Sequence, residues 1–308
     1  MLKFEEVNYD YFGKCLKICD GRTEMLVTID VGPRIISYRL NGKENIMCED
    51  KKENSTMEGG VFSEVFGERK WYIYGGHRLW FSPEHNPKSY FPDNDKVRYE
   101  ILDNKVILTP PPQLETGMQF VLEIEFSENK AKINHIIQNI GEDDIKISPW
   151  AMTVVDENSL AILPQSSKDT GLLSNRNLSL WAYTDIYDDR LFIGNKYITI
   201  KQDSDCKNNL KVGFNNEDGW LAMVNKSQLF VKKFDYIENA EYPDNHCNCE
   251  CFTNFFMMEI ESLGELKYLS KGEKTSHAEV WELYDCDKSF DPKNENEISK
   301  FVKDNIPL

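Results

Sequence analysis

The 308-residue sequence lacks the features that would assign it to several large classes. No stretch approaches the ~18 uninterrupted apolar residues of a membrane-spanning helix, and the opening residues MLKFEEVNYDYFGKCLKICDG hold no apolar core of signal-peptide length. Basic residues are few: 36 against 52 acidic ones give a net charge of −16 at pH 7, which repels nucleic acid and anionic lipid. No repeat, low-complexity tract or Pro/Gly/Ser linker divides the chain, and the proline cluster at Thr109–Gln113 is too short to do so. The expectation is a cytoplasmic protein with neither nucleic acid nor membrane as partner.

The eight cysteines sit at irregular spacings in a chain large enough to bury a core without staples, so they are expected as free thiols. In CNCECFTN, alternation puts Cys247, Cys249 and Cys251 on one strand face and Asn248, Glu250 and Phe252 on the other. Same-face residues lie roughly 6.6 Å apart along a strand. Three in a row cannot close on one zinc with ~2.3 Å bonds. No metal and no cofactor are expected, and the thiols are expected to fill a core face.

What the sequence has in quantity is period-two alternation. In MQFVLEIEF, Met118, Phe120, Leu122, Ile124 and Phe126 point one way while Gln119, Glu123 and Glu125 point the other. Similar runs recur as KVILTP, KAKINHIIQNI, IKISPWAMTVV, KYITIKQ, GWLAMVN, QLFVKKFDY, FFMMEIESL and AEVWELY. Compact junctions at Asn41–Lys43, Asp103–Lys105, Ser127–Lys130 and Asn225–Ser227 are candidate hairpins. This is an all-β, antiparallel pattern, expected as one domain over 1–285 with a helical tail over 286–308. In that tail Ile298, Phe301, Val302 and Ile306 fall at helical spacing, and Asn294 or Asn296 can cap.

Candidate site residues concentrate in two places. GGHRLWFSPEH gathers His77, Arg78, Trp80 and Glu84 behind two glycines: an imidazole, a rigid five-donor fork and a flat ring, suited to a polar, ring-shaped ligand. The bland alternative is a tight turn in which Arg78 pairs with Glu84. In FFMMEIESLGEL, Met257, Glu259 and Glu261 share a face, and burial beside apolar neighbours would raise a carboxyl towards the range of a neutral-pH base.

Taken in order, GGHRLWFSPE, SPWAMTVV, LWAYTDIYDDRL, LFVKKFDY, CNCECFTN and MEIESLGELKYLSKGEKTSHAEVWELY resemble the galactose mutarotase-like superfamily, which includes aldose and hexose-phosphate 1-epimerases. The likeness implies a large antiparallel β-supersandwich and a sugar or sugar derivative as partner. It implies Glu261 as the base that takes the anomeric proton and Glu250 as a sugar contact. Arg78 and His77 inherit the expectation of approaching the substrate, and Asp235 and Asp185 that of contacting hydroxyls. Where mutarotases carry an acid histidine, this chain reads Pro149 and Trp150. His77 is the replacement acid on this reading, with His135 behind it, and Trp150 becomes a platform for a sugar face. Two other functions stay open: a sugar-binding protein without catalysis, and a carbohydrate lyase or hydrolase using Glu250 with Glu261.

Overall fold

A computed structural model describes residues 2–127 and 130–308. Ten strands in the order Lys3–Asn8, Lys14–Cys19, Thr23–Thr28, Ile35–Leu40, Gly76–Ser82, Ile145–Val155, Met258–Leu263, Cys249–Thr253, Leu210–Phe214 and Ser179–Leu180 form a first sheet. The short strand Lys267–Leu269 pairs with the start of Ile145–Val155. The second sheet runs Leu191–Ile193, Tyr197–Lys201, Leu160–Pro164, Trp220–Asn225, Gln228–Phe234, Lys274–Asp285, Lys130–Asn139, Met118–Ser127, Lys105–Thr109 and Arg98–Leu102. Every pairing is antiparallel. No helix among the described residues is long and apolar enough to cross a membrane.

The sheets pack face to face, and alternation explains the core. Leu122, Ile124, Ile133, Phe230 and Trp281 of the second sheet meet Val27, Ile35, Tyr38, Ile260, Cys249 and Cys251 of the first in one buried cluster. Each such side chain contributes roughly 1.5–3 kcal/mol by leaving water. All eight cysteines are free. Cys249 and Cys251 point into the core as expected, but Cys247 precedes the strand and its thiol bonds the Asp244 carbonyl (3.0 Å), so the three do not form one row.

The tail helix spans Glu295–Asn305, capped by the Asn294 side chain on the amides of Asn296 and Glu297. Ile298, Phe301, Val302 and Ile306 bury against Ile162, Trp220 and Val231 on the outer face of the second sheet. The turns at Asp103–Lys105 and Asn225–Ser227 close hairpins. Asn41–Lys43 turns, but the chain then runs on through single bridges at Met47 and Glu49 instead of pairing back. Between Ser127 and Lys130, residues 128–129 lie outside the described ones, while the strands on either side pair.

GGHRLWFS is the main surprise: Gly76–Ser82 is a central strand of the first sheet, buried at every residue. Gly75 and Gly76 have φ of +86° and +64°, and a Cβ on Gly76 would sit 2.4 Å from the Ile35 carbonyl oxygen. Only glycine lets the chain enter the sheet here. Gly76→Ala is expected to lower stability by about 2–4 kcal/mol in urea unfolding; a loss below about 0.5 kcal/mol would show that the close approach is not a constraint.

Candidate functional site

The outer face of the first sheet, turned away from the second, carries the polar residues that alternation leaves unexplained. Its registers align them in rows. Arg78, Met152, Glu261, Glu250 and Gly213 lie opposite one another across five adjacent strands. The neighbouring row is Gly76, Val154, Glu259, Phe252 and Lys211. Trp80 and Trp150 pair in the next. The helix Gly60–Phe66 and the Trp71 segment cover one flank through Phe62, Phe66 and Trp71.

A cleft of about 290 Å³ opens on this face, near the lower limit of small-ligand sites. Its walls include Trp71, Trp80, Tyr90, Trp150, Trp181, Tyr183 and Phe252, and its charged groups are Arg78, Lys211, Glu84 and Glu259. The cations alternate with indoles. Arg78 lies 4.3 Å from the Trp80 ring and 5.0 Å from Trp71, while Lys211 lies 4.6 Å from both Trp150 and Trp181. Trp80 and Trp150 meet edge to face at 5.5 Å, joining the two halves. Gly213 has no side chain, which lets Glu250 and Trp181 close over it.

The acidic groups divide by depth. Lys211 Nζ is 2.7 Å from Glu250 and 3.1 Å from Glu261, and the Trp150 indole N–H donates to Glu261 at 2.6 Å. Glu250 and Glu261 are sealed behind the ammonium at 0% exposure. Burial pushes the Glu250 carboxyl well above its usual range, with Lys211 opposing. Burial disfavours the charge on Lys211, but Glu250 and Glu261 outweigh it and hold the ammonium proton well above the ordinary lysine range. Glu259 does line the cleft, and burial, reinforced by Glu261, raises it to about 8 against the pull of Arg78 and Lys211. Burial and the charge of Arg34 draw Arg78 down to about 9, still cationic at neutral pH. Among the described residues it has no carboxylate partner; its hydrogen bonds go to the Ile73 carbonyl and the Met152 sulfur, both at 3.4 Å.

The strand thus brings Arg78, Trp80 and Trp150 to one cleft with Glu84 on its rim, and puts Glu250 and Glu261 beneath it. His77 is a correction. Its strand neighbour Arg78 faces out, so its own ring faces in, and it lies between the sheets with no access to the cleft. His135 lies in the same interior, bonded to His77. Asp235 and Asp185 are exposed and outside the cleft lining, Asp235 at the end of a second-sheet strand and Asp185 in a turn with Tyr187. Nor does Glu84 pair with Arg78; it accepts from the Tyr90 hydroxyl at 2.5 Å. Lys211, Trp71, Tyr90, Trp181 and Tyr183 also contribute to the cleft, and no sequence pattern singled them out.

Among the described residues, His77, His135 and Glu279 are the one set close enough to share a metal. Their geometry is that of hydrogen bonds. The two Nε2 atoms are 2.7 Å apart, whereas two imidazoles on one zinc at 2.0–2.1 Å would stand roughly 3.3 Å apart. The Lys232 ammonium already occupies Glu279 at 2.7 Å.

No protein-family model matches the sequence, and no curated protein matches it. Solved structures do match. A putative aldose 1-epimerase from Klebsiella pneumoniae superposes with a TM-score of 0.55 at 10% identity, over 88% of this chain and 80% of that one. A galactose mutarotase-like protein from Lactobacillus casei gives 0.52 at 9% identity, over 88% and 100%. The fold is galactose mutarotase-like. A TPR-domain containing protein from Parabacteroides distasonis gives 0.58 at 12% identity over 90% of this chain, which spans about half (48%) of that protein.

The elevated Glu259 pKa sets a sign for stability. The folded state keeps this proton up to about 8, while the free carboxyl loses it near 4.5, so the folded protein binds the extra proton in between. Stability should fall as pH rises through that window. Glu259→Gln removes this titration, and denaturant titrations should show the variant gaining on the wild type from pH 5 to 8. A constant gap would mean Glu259 titrates normally.

Proposed function

We propose that the cleft binds the pyranose ring of an aldose or aldose derivative and interconverts its anomers, with Glu259 as base and Lys211 as acid. The observation that carries this reading is the placement of these two groups in one row. Glu259 and Lys211 flank Phe252 on the same sheet face, two strands apart. That is roughly 10 Å between backbones, room for two side chains and a ring. The indoles offer flat surfaces for the C–H faces of the sugar.

The chemistry follows from what each group can do. A carboxyl titrating near 8 is matched to taking the anomeric hydroxyl proton close to neutral pH. As that proton leaves, C1 becomes a carbonyl and its bond to the ring oxygen breaks; the departing oxygen is basic enough to accept a proton from Lys211. Rotation about C1–C2 and reversal of the steps gives the other anomer. Glu250 and Glu261 serve this by keeping Lys211 charged and in place. Glu261, the base implied by family resemblance, yields to Glu259 because its Oε2 is engaged by Trp150 and Lys211 and its Oε1 is sealed from the cleft.

A second reading, sugar binding without turnover, draws support from the cleft lining, which holds no histidine among the described residues. Hydrolysis by Glu250 with Glu261 is disfavoured: the two carboxylates are direct cross-strand partners behind Lys211 and do not flank a cleft.

Exchange NMR on aldoses and their 6-phosphates tests the proposal. The expected result is anomer exchange whose kcat/KM rises with pH through about 8 as Glu259 ionises. Glu259→Gln and Lys211→Met should each cut it by ~10²–10⁴. Binding of these sugars without exchange would leave the second reading, and no binding would remove both.

A further inference from the structure

Directly behind the cleft, between the two sheets, lies a cluster of ionisable side chains that the proposed chemistry does not use. His77, Thr153 and Ser262 come from the first sheet; His135, Lys232, His277 and Glu279 come from the second. None is more than 6% exposed.

Their hydrogen bonds admit one proton order. His135 Nδ1 lies 2.9 Å from the His277 carbonyl, which only accepts, so Nδ1 carries the hydrogen. In the neutral ring Nε2 of His135 must then accept, and the 2.7 Å contact makes His77 Nε2 the donor. His77 Nδ1 accepts from the Thr153 hydroxyl at 2.8 Å, and Thr153 in turn accepts from Lys232 at 2.9 Å. On the other side Ser262 donates to Glu279 at 2.5 Å, so His277 Nε2 donates to Ser262 at 2.6 Å. Glu279 also accepts from Lys232 and from the Trp281 indole at 2.8 Å. The chain of bonds closes on itself through the Lys232–Glu279 pair. Burial above all, with the charge of Lys232 adding to it, keeps His77 neutral.

The ring grips the cleft strands from below. His77 adjoins Arg78, Thr153 adjoins Met152 and Val154, and Ser262 adjoins Glu261. The third donor of Lys232 goes to the carbonyl of Ile260, the residue between Glu259 and Glu261 (3.0 Å). We infer that Lys232, Thr153 and Ser262 are positioning residues: through this ring the second sheet sets the placement of the cleft groups Glu259 and Arg78. The inference concerns placement alone and stands apart from the proposed reaction. A buried polar network whose members bond to one another in sequence favours one arrangement, because a shift strands a donor or acceptor.

The test is the titration of Glu259 by side-chain carboxyl NMR, with its signal assigned by loss in Glu259→Gln. Thr153→Val keeps the side-chain shape but removes the link between Lys232 and His77, and should move the midpoint away from about 8 by about half a unit or more. Thr153→Ser keeps a hydroxyl and should restore it. Ile133→Val loosens the same core outside the ring and should leave it unmoved. Should Thr153→Val fail to fold, Ser262→Ala breaks the ring at its other side and is read in the same way. An unmoved midpoint in the ring variants, or equal movement in Thr153→Ser or Ile133→Val, would overturn the inference.

Discussion

Two carboxylates that face each other on adjacent buried strands cannot both hold charge unless a cation stands between them. Lys211 stands between Glu250 and Glu261, burial still pushes the Glu250 carboxyl well above its usual range, and the architecture of the cleft follows from this contact. The ammonium needs a low-dielectric roof that does not compete for its proton, and the faces of Trp150 and Trp181 supply one. With Lys211 held there, the deeper acids are covered, and Glu259 is the buried carboxyl left facing the opening. Removing one partner would leave an uncompensated buried charge, so this group of residues belongs to the site as a unit.

The same sheet carries a second polar system on its other side. Alternation sends Arg78, Met152, Glu259 and Glu261 outward and His77, Thr153, Ile260 and Ser262 inward. Ionic groups on both faces of one sheet are expensive to bury, and both sets are tied into hydrogen bonds or stacked on aromatics. The outward set retains open valences: Arg78 Nε and Trp71 Nε1 have no hydrogen-bond partner among the described residues. The inward ring joins its members to one another. That difference separates the face on which the proposed ligand cleft opens from the face that holds the sheets together.

Much of this was legible in the sequence, for a physical reason. Period-two patterns are local, so the strands of the sandwich, the opposed faces of Cys249–Thr253 and the shared face of Glu259 and Glu261 followed from alternation, while Cys247, before the strand, did not. The error at His77 arose where local signals conflicted. Two glycines and Pro83 mark a turn, but the glycines serve a close backbone approach at the start of a strand. Once Gly76–Ser82 is a strand, adjacent His77 and Arg78 cannot enter the same cleft. Lys211 was out of reach because LKVGF is a short, ordinary strand. Its meaning comes from lying beside Glu250 across one pairing and near Trp181 across a glycine, which no local pattern encodes. Depth was equally hidden: alternation assigns Glu259 and Glu261 to one face without telling which is covered.

The central claim is that the outer, indole-lined face of the first sheet receives the sugar, with Lys211 and Glu259 against it. The most direct measurement is a crystal structure of the protein soaked with an aldose. The account predicts a pyranose between Trp80, Trp150 and Trp181 with polar contacts to Lys211 and Glu259, and with the His77–His135 pair unchanged behind the sheet. A sugar bound elsewhere, or one contacting His77 through an opened sheet, would contradict it.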